Sequence, residues 1–481
     1  MTTPSLSTRP DPRLGAALVA AKVTGAAIRR LGRGGGTAAP GLIADRIDPD
    51  LLAKIAARLP RGVVVVAGTN GKTTVSRMVA DTLEAAGLAV AHNRSGSNMV
   101  RGVASALAER SSLGGNPRAD AGVIESDEAA LPEIVRQLRP RVLLLNNLFR
   151  DQLDRYGELA TVANRWRETL TSLGLDTVVV VNADDPTLAG ITEGLDARRL
   201  CFGLDESDPR LRLPSLPHAV DATVCRRCGH DLAYDALYSA HLGAWRCPAC
   251  GNARPPLDVA GREIALDGVE ALRLAVEISP LDDGYRRLDL AIAVPGLYNA
   301  YNAVAAVAAA TAFGVPGDVI AGALGRFRSA FGRIERLVYR DRTLVMALVK
   351  NPVGFNETLR MLTAATDGLT VPTLIAINDL FADGRDVSWL WDVDFELLAA
   401  GDAPLFTSGI RGPDMANRLK YAGVAADRIR PLPTDLAAGL DAFVNALPVG
   451  ETGYLLPTYT AMLELRRVLA ARGAVEAFWR Q

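Results

Sequence analysis

The strongest pattern along the chain is an unbroken apolar run, Val63-Val64-Val65-Val66-Ala67, that breaks into Gly68-Thr69-Asn70-Gly71-Lys72-Thr73-Thr74 and resumes with apolar positions at helical spacing from Ser76 to Ala86. Four consecutive valines predict a strand covered on both faces, and the periodicity after the turn predicts a helix. The same succession recurs downstream. Ala121 to Ile124 runs into Glu125-Ser126-Asp127-Glu128, Val142 to Leu145 into Asn146-Asn147, and Thr177 to Val181 into Asn182-Ala183-Asp184-Asp185-Pro186. Strands that end in polar residues and alternate with helices predict a doubly wound, parallel α/β sheet with ligands at the carboxyl ends of its strands.

Outside this alternation the pattern changes. Residues 1–60 read as a helical segment closed by Pro60-Arg61-Gly62, with an amphipathic helix over Leu14 to Ile28. That run is too short to span a bilayer, and its basic cluster, Arg29-Arg30, follows the apolar stretch where a signal peptide would carry it in front; a cytoplasmic chain is the expectation. A polar stretch at about 221–253 interrupts the α/β units. Beyond it, Leu288 to Val294 predicts a strand and Asn302 to Phe313 an Ala-rich helix. With 481 residues the chain exceeds a single core, and the domains read as 1–60, a central 61–335 and a second α/β domain over 336–481.

The turn after the first strand carries the first candidate chemistry. At a helix N-terminus, unpaired backbone N–H groups and the positive end of the helix dipole favour a polyphosphate, Lys72 can reach terminal phosphates, and Thr73 can place its hydroxyl on Mg²⁺. The generic G-x-x-x-x-G-K-[ST] pattern is not met, because Val66 stands where its first glycine would fall.

Composition adds the second. Of five cysteines, four form Cys225-Arg-Arg-Cys228-Gly and Cys247-Pro-Ala-Cys250-Gly, the spacing of a four-cysteine zinc ribbon. Four sulfurs close the coordination sphere, so a structural Zn²⁺ is expected. The fifth, Cys201, lies in the apolar stretch Leu200-Cys201-Phe202-Gly203 and reads as a packing residue. Against 53 basic residues stand 54 acidic ones, which removes any bulk attraction to nucleic acid. Arg226, Arg227, Arg246 and Arg254 are the support for the alternative of a zinc-ribbon nucleic-acid-binding ATPase.

Gly68-Thr69-Asn70-Gly71-Lys72-Thr73 resembles the ATP loop of the Mur ligase superfamily, the amide-forming ligases of peptidoglycan and polyglutamyl folate synthesis, and further segments extend the resemblance over most of the chain. It implies that Gly68, Thr69, Asn70, Gly71, Lys72, Thr73 and Thr74 bind ATP, and that Glu125 binds Mg²⁺ beside Thr73. Asn147-Leu148-Phe149-Arg150-Asp151-Gln152-Leu153-Asp154 looks like the superfamily's Asp-His-Leu-Asp segment, with Gln152 in place of the histidine that serves a second metal. Many relatives also carry a carbamylated lysine on the next helix, and Val162 to Leu170 contains none, so the number of Mg²⁺ ions stays open. Asn182 and the Asp184-Asp185-Pro186 turn match as well. Gly296-Leu297-Tyr298-Asn299-Ala300-Tyr301-Asn302 resembles the segment whose last asparagine meets adenine, which assigns Asn302. Gly332-Arg333-Ile334-Glu335 resembles the segment whose arginine clamps the nucleotide phosphates, which assigns Arg333.

Only about sixty residues precede the phosphate loop, fewer than the sugar-nucleotide domain of ligases that use UDP-linked precursors. The cysteine insertion, Asn351-Pro352-Val353-Gly354-Phe355-Asn356, and the stretch from Asn378-Asp379-Leu380-Phe381 to Asp383-Gly384-Arg385-Asp386-Val387-Ser388-Trp389 look like the MurT family, the synthetase subunits of lipid II isoglutaminyl synthases. That resemblance implies ATP-dependent amidation of the α-carboxyl of D-glutamate in the lipid II stem peptide, through an acyl phosphate, to D-isoglutamine. Lys72 and Glu125 would serve the chemistry. Ammonia would come from a GatD-type glutaminase in a heterodimer, with Asp386, or Asp383 as its neighbour, orienting the partner's catalytic histidine. The lipid-linked substrate implies action at the inner face of the cytoplasmic membrane. The alternative within the superfamily is an amino-acid-adding ligase of the folylpolyglutamate type.

Overall fold

The computed structural model describes residues 11–30, 38–93, 97–150, 159–218, 220–279, 286–328, 334–363 and 368–475. Its centre is β1 (Val63–Ala67), flanked in parallel by β3 (Ala121–Glu125) and β4 (Val142–Leu145) with Val64 opposite both Val123 and Val142. The sheet extends through β2 (Val90–His92) on one side and β5 (Val178–Asn182) and β6 (Arg198–Leu204) on the other.

A hairpin of β7 (Ala233–Ser239) and β8 (Leu242–Arg246) stands apart as its own two-stranded sheet. The main sheet then resumes with β9 (Val259–Asp267), β10 (Ala271–Ile278) and β11 (Arg286–Ile292), giving the order β11-β10-β9-β6-β5-β4-β1-β3-β2. In this sheet β2, β3, β1, β4, β5, β6 and β9 pair in parallel, but β9, β10 and β11 pair antiparallel. The reason is local: β9 and β10 are joined by a tight turn at residues 268–270, where Gly268 takes φ +55° and Glu270 N–H donates to Asp267 at 3.1 Å. A connection that short cannot cross over to a parallel partner.

The valine run explains the two layers. Val64 and Val66 join the core under the helices Lys72–Ala85 and Leu297–Phe313, whereas Val63, Val65 and Ala67 join the opposite core. That second core includes Leu14, Leu18, Leu51 and Ile55, so the N-terminal helices Pro12–Arg30 and Leu51–Ala56 cover the sheet and share its interior. The helix after the phosphate loop starts at Lys72, four residues earlier than its apolar periodicity begins, because Gly71 at φ +84° closes the turn directly onto it. Among the described residues no helix is long and apolar enough to cross a membrane.

The C-terminal sheet contains β12 (Glu335–Tyr339), β13 (Arg342–Met346), β14 (Thr373–Ala376), β15 (Leu405–Ser408), β16 (Ile429–Pro431) and β17 (Thr452–Pro457), in the order β12-β13-β17-β14-β15-β16. Only the β12–β13 pair is antiparallel among these described strands, and separate apolar cores cover the sheet's two faces.

Phe313, fully buried at the end of the Leu297–Phe313 helix, stacks under the Arg141 guanidinium at 4.7 Å. Phe313→Ala should lower the unfolding free energy by about 3–5 kcal/mol through lost burial and a residual cavity. Urea titration reads this directly, and a loss below about 1 kcal/mol would show that the helix does not depend on this contact.

Candidate functional site

The phosphate loop is held by backbone that approaches too closely for side chains. A Cβ on Gly68 (φ +148°) would stand 3.0 Å from Asn146 Cβ and 3.1 Å from the Asn147 backbone. One on Gly71 (φ +84°) would overlap Asn302 Oδ1 and lie 2.7 Å from Asn146 Nδ2. Both glycines are therefore set by φ and by space.

The cradle comes from the carboxyl end of β4. Thr69 N–H donates to Asn147 O at 3.0 Å and Asn70 N–H to Asn147 Oδ1 at 2.8 Å. In return, Asn146 Nδ2 and Asn147 Nδ2 donate to Asn70 O at 2.9 and 3.0 Å. Thr69 Oγ1 accepts from Phe149 N at 3.0 Å and donates to Phe149 O at 3.1 Å, so this buried threonine braces the loop from below. Of the remaining loop residues, Thr74 is buried and Thr73 is partly exposed.

Lys72 heads the helix with its Nζ 3.0 Å from Glu128 Oε1 and 3.2 Å from Thr69 O, in a setting where both charged side chains are nearly buried. Glu125 sits beside Val66 in the β1–β3 register, which brings it to the loop. Asn93 clamps its backbone, accepting from Glu125 N at 2.8 Å and donating to Glu125 O at 2.9 Å. Asn98 reaches Glu125 Oε1 at 3.5 Å, and among the described residues the buried Glu125 Oε2 has no hydrogen-bond partner. An orphaned, buried carboxylate oxygen beside a phosphate loop fits a hard cation such as Mg²⁺, which takes few protein ligands and keeps the rest for phosphate and water.

Asn302 lies behind the loop. Its Oδ1 accepts from Asn146 Nδ2 at 3.2 Å and its Nδ2 donates to Asn299 Oδ1 at 2.9 Å, so in this structure it braces Gly71. Arg333, Gln152 and Asp154 lie outside the described residues. The sequence did not single out three further contributors: Glu128 on Lys72, the Asn146–Asn147 pair, and Asn351, whose Nδ2 donates to Asn70 Oδ1 at 3.0 Å from the C-terminal unit. Asparagines ending one strand pattern were the legible signal for the pair; the other two contacts link residues far apart in the chain.

In the insertion, Cys225, Cys228, Cys247 and Cys250 bring their sulfurs within 4.8 Å of one another, with Cys225–Cys250 at 3.7 Å and Cys228–Cys247 at 3.5 Å. Four sulfurs each about 2.3 Å from a tetrahedral zinc stand about 3.8 Å apart, so the donor set fits that ion. Burial opposes ionisation of Cys225, but the backbone N–H groups of Arg227 and Cys228 aimed at its sulfur bring the thiol down to about 6. Cys201 differs: burial pushes its thiol up to about 11.

The two aspartates of the C-terminal loop separate cleanly. Asp383 is buried and accepts from Thr460 N at 2.8 Å, from Thr460 Oγ1 and from Leu380 N at 3.2 Å; burial raises its pKa. Asp386 is exposed, accepts from Ser388 N at 2.8 Å, and is held below the usual carboxylate range by that bond. It lines a cleft of about 330 Å³ with Arg385, Trp391, Arg411 and Arg418.

Comparison with known proteins adds the family. The model of the Mur ligase middle domain matches residues 66–220, and that of the MurT ligase C-terminal region matches residues 348–462. The lipid II isoglutaminyl synthase (glutamine-hydrolyzing) subunit MurT of Streptococcus pneumoniae is 32% identical over 95% of this chain and 97% of its own. Its counterpart from Staphylococcus aureus strain COL is 32% identical over 84% of this chain and 87% of its own. Among solved structures, a pseudomurein peptide ligase type C from Methanothermus fervidus superposes with a TM-score of 0.64 at 18% identity, covering 87% of this chain and 80% of that one. Mycobacterium tuberculosis folylpolyglutamate synthase superposes at 0.57 and 16% identity, covering 89% and 96%.

The cysteine geometry yields a test. Purified protein should hold one zinc per chain, Cys225→Ser should lose it, and iodoacetamide at about pH 8 should leave Cys201 unlabelled because its thiolate is scarce. Metal analysis with peptide mapping reads both; a fully zinc-loaded Cys225→Ser variant or rapid labelling of Cys201 would contradict these assignments.

Proposed function

This chain belongs to the MurT family of the Mur ligase superfamily, and from that premise we propose that it is the ATP-dependent synthetase subunit of a lipid II isoglutaminyl synthase. The reaction is amidation of the α-carboxyl of D-glutamate in the lipid II stem peptide to D-isoglutamine, at the inner face of the cytoplasmic membrane. The observation that carries this reading is the pairing of the phosphate loop, with Lys72 and Glu125 at its mouth, with an exposed Asp386 on the C-terminal unit.

Each residue then has a task. Gly68 to Thr74 bind the phosphates of ATP, and Lys72 exchanges Glu128 for them as they arrive. Mg²⁺, when bound, would offset repulsion between the substrate carboxylate and the γ-phosphate. Glu125 Oε2 and the Thr73 hydroxyl would hold that ion. Arg333 is assigned to the phosphates by family resemblance. Asn302 is assigned to adenine by family resemblance, and its amide also braces the loop through Asn146. The product of the first step is an acyl phosphate, and ammonia displaces phosphate from it, forming the C–N bond as the C–O bond breaks.

Ammonia is supplied by a separate GatD-type glutaminase. Cys201 is an unsuitable nucleophile, being buried with its thiol pushed up to about 11. The partner's docking surface surrounds Asp386, where Phe381 is 74%, Trp391 52% and Tyr421 67% exposed, an apolar excess that suits burial against a second subunit. Asp386 stays ionised there and can orient the partner's histidine, whereas Asp383 is spent on Thr460. The four cysteines hold a structural zinc.

Incubation with a GatD-type glutaminase, glutamine, Mg-ATP and lipid II should amidate lipid II, read by mass spectrometry, and Lys72→Ala should slow this by at least about 10²–10³-fold. Absence of amidation where a reference MurT–GatD pair is active would refute the function, and ATP hydrolysis elicited by a free amino acid without a partner would favour the amino-acid-adding alternative. Asp386→Asn should cut glutamine hydrolysis in the complex by about 10²-fold or more while nucleotide affinity stays unchanged. Unimpaired glutaminase activity in a complex that still forms would refute the role of Asp386.

A further inference from the structure

One buried residue of the ribbon is left unused by the reading above. His241 lies in the turn between β7 and β8, fully buried, next to Ala240 at φ +47°. Tyr234 Oη donates to its carbonyl at 3.0 Å, and Gly243 N–H donates to Asp184 O at 3.1 Å, so the turn is pinned at the carboxyl end of β5. Two further anchors fix the same spot: Trp245 Nε1 donates to Ala183 O at 3.0 Å, and Arg254 Nη1 to Asp184 Oδ1 at 2.9 Å.

The imidazole faces residues that follow β4 and β5. Its ring lies 4.8 Å from that of Phe149, tilted by 51°, and its Nε2 stands 3.5 Å from Asp185 Oδ2. Among the described residues neither ring nitrogen makes a hydrogen bond. Phe149 supports the phosphate loop directly, and Asp185 supports it through Leu148. Asp185 Oδ2 accepts from Leu148 N at 2.8 Å, and Phe149 closes its reciprocal pair with Thr69 Oγ1. Two contacts therefore separate a residue of the cysteine insertion from Thr69.

We propose that His241 is a positioning residue of the nucleotide site: carried on the ribbon's hairpin, it fixes Leu148-Phe149 and, through them, Thr69 and the phosphate loop. The ring face limits where Phe149 can sit, and the nitrogen edge faces the Asp185 oxygen that receives Leu148 N–H, while the other oxygen of Asp185 accepts from Thr187 N and Leu188 N at 2.8 and 3.1 Å. A loop whose supports are locked binds phosphate without first having to order itself. The inference rests on the nucleotide reading of the loop and adds that the ribbon completes that site.

The test measures Mg-ADP affinity of the full chain by calorimetry, with zinc content and Tm determined on the same samples. His241→Ala should weaken binding about tenfold, and His241→Phe, which keeps a ring against Phe149 but loses the edge facing Asp185, about threefold. Arg246→Ala, on the ribbon's exposed side, should leave affinity and zinc content unchanged. Unchanged affinity in either His241 variant overturns the proposal; if His241→Ala loses zinc or unfolds, His241→Phe decides alone. An unsubstituted chain that does not bind Mg-ADP would instead defeat the nucleotide reading, and the role of His241 with it.

Discussion

The whole arrangement depends on how closely the Gly68–Gly71 turn is pressed onto the end of β4. Parallel pairing of β1 with β4 sets Val66 opposite Leu144, and the next residues of both strands must then share one small volume. Asn146 and Asn147 fill it with amides that satisfy the turn's own N–H and C=O groups. Any Cβ at Gly68 or Gly71 would collide with them. Because the turn's buried polar groups are met from below, the first N–H groups of the Lys72 helix, which have no intrahelical partner, remain for an anion. Strand pairing thus decides where a phosphate can sit.

Distance between the two tasks explains the C-terminal unit. Asn351 touches the phosphate loop through Asn70, while Asp386 looks outward from a loop anchored by Asp383 on Thr460. Two aspartates three positions apart therefore divide the labour: burial and three donors turn Asp383 into a fastener, and exposure leaves Asp386 its charge. The fastener holds the backbone segment that carries the outward residue.

Much of this was legible in the chain. Buried strands ending in polar residues identified β1, β3, β4 and β5, since full burial on both faces leaves an unbroken apolar run and a ligand-facing end cannot be apolar. Paired C-x-x-C turns identified the insertion, because metal ligation demands that spacing. The antiparallel end of the sheet was not legible: strands with one solvent face and a short turn look alike whether they extend a sheet or stand alone. Long-range partners were equally hidden. Glu128 meets Lys72 across 56 positions, and His241 meets Phe149 only because the ribbon folds back onto β5. The contact of the Asn302 amide with the back of Gly71 was hidden as well, a fact of packing that no motif encodes.

The Lys72–Glu128 pair shows why such hidden partners matter. A lysine left alone at so buried a position would lose most of its hydration with nothing to offset the cost. Glu128 supplies a counter-charge to the Lys72 ammonium at 3.0 Å. The pair is nonetheless costly to bury, and its net stabilisation is small, so a polyphosphate carrying more charge than one carboxylate can take over the lysine without a large loss. Glu128 then becomes an anion next to an anion unless a cation intervenes. Glu125 ends β3 nearby, with one buried oxygen that has no hydrogen-bond partner among the described residues and whose chemistry fits a cation. The loop, the lysine and the two glutamates therefore form one electrostatic neighbourhood at the carboxyl ends of β1 and β3.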